Sequence, residues 1–131
     1  MDPKQGATVL CVVDRRRNVL TRMLRRVGFS VVETFTTDQA VAIAVANRVD
    51  AVVLDQELFL ETDGWSVAQS LKLVRPSIRV LLVTRAARLT KRLPRGVDAV
   101  VANREPGRAV EAVQHLTGMK PTARSAARGI R

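Results

Sequence analysis

Five short apolar runs, with helical patterns between them, constrain the fold of this chain more than any other feature. They are "ATVLCVV" (7–13), "FSVVETF" (29–35), "AVVLD" (51–55), "IRVLLVT" (78–84) and "DAVVA" (98–102). All are rich in β-branched residues, and three are nearly continuous rather than alternating. Strands buried on both faces of a parallel sheet read this way. Between them the spacing predicts helices over 15–27, 37–47, 64–75 and 106–116. The expected inner faces are Val19, Leu20, Met23, Leu24 and Val27; Ala40, Val41, Ala44 and Val45; Val67, Ala68, Leu71 and Val74; and Val110, Val113 and Leu116. Gly28 and Pro76 supply stops, and Pro106 suits a first helical turn. The segment 85–97, "RAARLTKRLPRGV", is basic and broken by Pro94, with room for one or two turns. Strand–helix alternation of this kind gives an α/β fold: a doubly wound, five-stranded parallel sheet with helices on both faces.

The 131 residues fit one domain, and 47% hydrophobic with 26% charged residues is a globular composition. Residues 1–117 read as that domain. Residues 118–131, "GMKPTARSAARGIR", contain no acid and read as a basic, flexible tail. Aromatics are only Trp65, Phe29, Phe35 and Phe59, so the core must be built from Val, Leu, Ile and Ala. No run approaches the roughly 20 apolar residues of a membrane span, and "MDPKQG" has no signal-peptide core. Cys11 is the only cysteine, which excludes an intramolecular disulfide and a Cys-rich zinc site. A cytoplasmic, bacterial protein with no membrane partner is expected. The net charge is +10, from 18 Arg and 4 Lys against 12 acids. Such Arg use fits a GC-rich genome as well as a polyanion partner, so charge alone does not establish nucleic-acid binding.

In an open parallel sheet, ligands bind at the carboxyl ends of the strands. Those ends carry Asp14, Asp55, Thr84 and Asn103. If the first and third runs are neighbours, Asp14 and Asp55 face one another, an arrangement suited to a hard cation or a nucleophilic carboxylate. Thr84 could donate its hydroxyl to an anion there.

"VLCVVD", "DAVVLD…DGW", "IRVLLVT" and "GVDAVVANREP", taken together in order, resemble the response regulator receiver domains of two-component signalling. The resemblance spans about residues 7–117. It implies a flavodoxin-like strand order 2-1-3-4-5 and phosphorelay signalling by contact with a sensor histidine kinase or another signalling protein, not an enzyme's turnover. It places Asp55 at the phosphoacceptor position, Thr84 at the phosphoryl-contacting position and Asn103 at the usual lysine position. Asp14, Asp55 and Glu57 become the candidate magnesium ligands. A homodimer is compatible with the resemblance.

The sequence also departs from that family. Where two adjacent acids are usual, this chain has Asp14-Arg15; where Lys-Pro is usual, it has Asn103-Arg104. Val100 replaces the aromatic switch residue, and the loop "QELFLETDG" lacks the usual proline. Magnesium needs oxygen ligands and is held partly by charge. Arg15 removes an oxygen and repels the ion, yet it can pair bidentately with a carboxylate. Weak magnesium binding or none, and impaired or absent phosphorylation, are therefore expected.

Plainer readings exist for several of these residues. Asp14 could simply cap the helix that follows, and Asn103 could cap the last helix or its preceding turn. His115 sits among apolar residues and reads as structural. Arg15, Arg22 and Arg26 share one helix edge, by default a solvated one. The alternative function is a basic adaptor that binds nucleic acid through this helix and the tail. No aromatic residue interleaves with the arginines to stack on bases.

Overall fold

The computed structural model describes residues 7–13, 18–56, 64–85, 93 and 95–118. The three most continuous apolar runs occupy the middle of the sheet as β1 (Thr8–Val12), β3 (Ala51–Asp55) and β4 (Arg79–Thr84). Strands β2 (Ser30–Thr34) and β5 (Ala99–Ala102) form its edges, and both are only partly buried. The order is β2-β1-β3-β4-β5, and every pairing is parallel. This is the flavodoxin-like α/β arrangement.

Period-two alternation divides the core into two layers. Leu10, Val12, Val52, Leu54, Val80 and Leu82 pack beneath α2 (Thr37–Ala46) and α3 (Gly64–Val74). Val9, Cys11, Val13, Val53, Leu81 and Val83 pack on the other face, against α1 (Asn18–Arg26) and α4 (Pro106–Thr117). Continuous apolar runs are needed because both faces of the central strands are covered.

Local signals set the helix ends. The Thr36 side chain accepts the Gln39 N–H at 3.2 Å and caps α2. At the far end of α2, Arg75 Nε donates to the Ala44 carbonyl at 2.7 Å, so a guanidinium satisfies an orphan carbonyl. Gly96 has φ +87°, and a Cβ there would lie 3.2 Å from the Gln69 backbone nitrogen. The turn entering β5 therefore needs glycine both for its backbone conformation and for its approach to α3.

The helix faces differ from the sequence reading at particular positions. Val45 is 58% exposed, and Ile43 packs inward instead. In "TDQAVAIAVA" nearly every residue is apolar, so spacing marks no single face; close approach to the sheet selects the small pair Ala40 and Ala44. Val19 and Val74 lie at helix ends and are also exposed. In α4, Val110 and Val113 are buried as expected, but His115 is exposed and Gln114 takes a buried place.

Gln114 is an unusual core residue. It is 2% exposed, and neither end of its amide has a hydrogen-bond partner among the described residues. A buried amide left unpaired costs about 1–3 kcal/mol. Gln114→Leu keeps much of the volume and removes that cost, so it should raise stability by about 1–2 kcal/mol. A rise in the urea midpoint at unchanged slope would show this; a fall would mean that the amide is satisfied in solution.

Candidate functional site

Asp55 ends β3, a strand with every residue buried, and is itself 1% exposed. In register it lies opposite Val83 of β4. It alternates with Ala51 and Val53, on the face covered by α1 and α4. Beside it opens a crevice of about 260 Å³, bounded by Val13, Leu20, Val83 and Ala109 and reached by Asn103. The site thus lies at the carboxyl edge of the sheet, where β1 and β3 adjoin while the chain between them runs to opposite sides.

Thr84 lies one step further along β4 than Val83 and pairs with Ala102. It is 3% exposed, and its Oγ1 has no hydrogen-bond partner among the described residues. It alternates with Val80 and Leu82 and is not among the described residues that line the crevice. Asn103 does line it, held by a 2.8 Å hydrogen bond from its own N–H to the Thr84 carbonyl. Asn103 is not the cap of α4: that place belongs to Glu105, which makes no side-chain capping bond. Val100 is half-buried and packs on the α2–α3 side.

Asp14, Arg15 and Glu57 lie outside the described residues, as do most of the segment 85–97 and everything after Gly118. The described part of the crevice supplies one carboxylate and one amide among apolar walls. That donor set alone falls short of what magnesium takes. Among the described residues no group of three or more His, Cys, Asp or Glu side chains could hold a metal ion. No described helix is long and apolar enough to cross a membrane.

Cys11 lies on the same face of the sheet but is fully buried, opposite Glu33 in the register. Burial, and secondly the Glu33 charge, push its thiol up to about 12, while Arg25 opposes the shift. Of the basic edge of α1, Arg22 and Arg26 are exposed. Arg25, next to it, is held by Glu33 at 3.3 Å and donates to the Val31 carbonyl at 3.4 Å.

The polar residues that sequence reasoning missed are at the opposite edge of the sheet. Asp50 Oδ2 accepts the Thr8 N–H at 2.8 Å, and Asp98 Oδ2 accepts the Val80 N–H at 2.7 Å. Each carboxylate precedes one strand and holds the start of its neighbour. An acid immediately before an apolar run, as in "VDAVVLD" and "VDAVVA", was the available signal.

The strand order and the carboxylate at the end of β3 can be compared with solved structures. The receiver domain of a sensor histidine kinase from Pseudomonas aeruginosa, whose active-site cleft coordinates a magnesium ion, is 26% identical with a TM-score of 0.72, over 86% of this chain and 98% of that one. The chain has the fold of a response regulator receiver domain. A receiver protein from Burkholderia phymatum matches with a TM-score of 0.73 at 21% identity, over 88% of this chain and 98% of that one. A Francisella response regulator receiver domain matches with a TM-score of 0.74 at 18% identity, over 86% and 98%. No protein-family model and no curated protein matches the sequence. At the carboxyl edge of this sheet, the polar residues lining the crevice among the described residues are Asp55 and Asn103.

Proposed function

We propose that this chain is a divergent receiver that acts in two-component signalling through protein–protein contacts, with metal-dependent phosphorylation of Asp55 impaired or lost. The observation that carries the reading is Asp55 itself. A carboxylate 1% exposed at the end of a central strand, beside an open crevice, is the kind of buried acid that clusters at functional sites. Asn103, in the turn after β5, lines the same crevice, and Thr84 follows Val83, the β4 partner of Asp55. Asp55 is the phosphoacceptor position, Thr84 the phosphoryl contact, and Asn103 stands where a lysine would otherwise neutralise charge. Asp14 and Glu57 complete a weak metal set that Arg15 opposes. The signalling unit is 1–117, and 118–131 is a basic tail. The partner class is a sensor histidine kinase or another signalling protein.

The receiver in the Pseudomonas kinase coordinates magnesium in its cleft, and a Burkholderia pseudomallei relative carries a phosphorylated aspartic acid with calcium. The test is therefore phosphorylation by acetyl phosphate across a magnesium series, followed by intact mass. Labelling should be slow and incomplete, absent in Asp55→Asn, and faster in Arg15→Asp, which restores a ligand oxygen and removes a repelling charge. Rapid, stoichiometric labelling of the wild type at sub-millimolar magnesium would refute the impairment. Labelling that persists in Asp55→Asn would refute the site.

A further inference from the structure

The crevice beside Asp55, in its described lining, is poorly suited to a bare ion. It offers about 260 Å³, and Val13, Leu20, Val83, Ala102 and Ala109 give it apolar walls. A dry cavity of about 150 Å³ accommodates benzene, so this space admits one ring with a short substituent. Mostly apolar walls with a few polar groups to orient the ligand are the usual make-up of a small-molecule site. Among the described lining residues the two polar groups are the Asp55 carboxylate and the Asn103 amide. No Lys or Arg is among the described lining residues; Arg15, which opposes a bare ion in the proposed site, weakens an ammonium as well, so the apolar walls supply much of the affinity.

We propose that the crevice binds a small organic amine, its hydrocarbon part against Val13, Leu20, Val83 and Ala109 and its ammonium group directed to Asp55 and the Asn103 carbonyl oxygen. A carboxylate has about four acceptor positions, so an ammonium adds to whatever contacts Asp55 already makes. An ammonium beside a buried carboxylate is a charge-assisted pair, stronger than a neutral hydrogen bond. The inference shares its crevice with the proposed phosphoacceptor but not its chemistry. The amine needs neither metal nor phosphoryl donor. It would give a site with impaired phosphorylation a different input.

Methyl-resolved NMR of the full chain, without magnesium or acetyl phosphate, tests this with benzylamine, benzyl alcohol and benzoate. Benzylamine should give saturable shifts at the methyls of Val13, Leu20, Val83 and Ala109. Benzyl alcohol should bind more weakly and benzoate least. Asp55→Asn should erase the preference for amine over alcohol. Ala109→Leu, which fills the crevice, should weaken benzylamine by about tenfold or more. Ala102→Val fills it from the other side, in a strand that favours valine, and serves if Ala109→Leu does not fold. Benzoate binding as tightly as benzylamine, no saturable shift with any probe, or shifts indifferent to filling would each overturn the proposal. Because no phosphoryl donor is present, that result is separate from failure of phosphorylation.

Discussion

Raising the pH from 9 to 12 should remove about 3 kcal/mol of folding stability through Cys11 alone, and Cys11→Val should abolish that part of the loss. The thiol is fully buried in the layer under α1 and α4. Burial first, and the Glu33 charge second, hold it protonated up to about 12. The unfolded chain releases the same proton near 9, the ordinary value. Above that pH the unfolded state binds fewer protons than the folded state, so stability falls as pH rises. The contribution is complete below pH 9 and fades as pH approaches 12. The limiting slope is about 1.4 kcal/mol per pH unit. The sequence contains no tyrosine, and the other titrating groups are common to both proteins, so the difference between the two curves isolates Cys11. Urea unfolding at intervals between these pH values would give both curves, and the comparison rests on their slopes rather than on the offset caused by repacking. Parallel wild-type and mutant curves would show that the thiol is hydrated in solution.

Asp98→Ala should cost about 3 kcal/mol, a large share of the stability of a domain this size. One oxygen, Oδ2, accepts Lys72 Nζ and the Val80 N–H, each at 2.7 Å. The Lys72 and Asp98 side chains are 22% and 21% exposed, so water screens the pair only in part. Removing the carboxylate leaves an ammonium and a buried strand N–H without their acceptor, which is costlier than never having placed them there. Arg79, 3.6 Å from Oδ1 and 55% exposed, adds little. Asp98→Asn keeps an acceptor but loses the charge and should cost about half as much. A Lys72→Met, Asp98→Ala double-mutant cycle in urea isolates the pair. An Asp98→Ala protein within error of wild type would show that the clamp contributes nothing.

The order of elements was legible because the runs and their spacing carry it. Both faces of β1, β3 and β4 are buried, so their sequences are continuous and easy to find. The faces of the helices were harder to read. In α2 almost every residue is apolar, and packing rather than pattern turned Val45 outward. Gln114 could not be anticipated, since a polar residue at a core position breaks the rule used to find the core. At the site, Asp55 stood out as an acid at the end of a buried strand. A ligand site at the carboxyl ends of the strands was expected, but the size and apolar walls of the crevice between α1 and α4 were not, because residues distant in sequence bound it and no local pattern encodes a volume.

The paired aspartates at the amino edge of the sheet bear on how the chain avoids misassembly. A strand made of continuous valine and leucine carries little information about where its partner should begin. Sliding β3 by two residues along β1, or β5 along β4, would still pair apolar residues with apolar residues. Asp50 and Asp98 each recognise one particular N–H, of Thr8 and of Val80. A slip at either pairing would part the carboxylate there from its N–H, while the true alignment satisfies both. Two acids far from the candidate site thus discriminate among alignments that the apolar runs alone leave nearly equivalent, and in doing so they set the position at which Asp55 emerges.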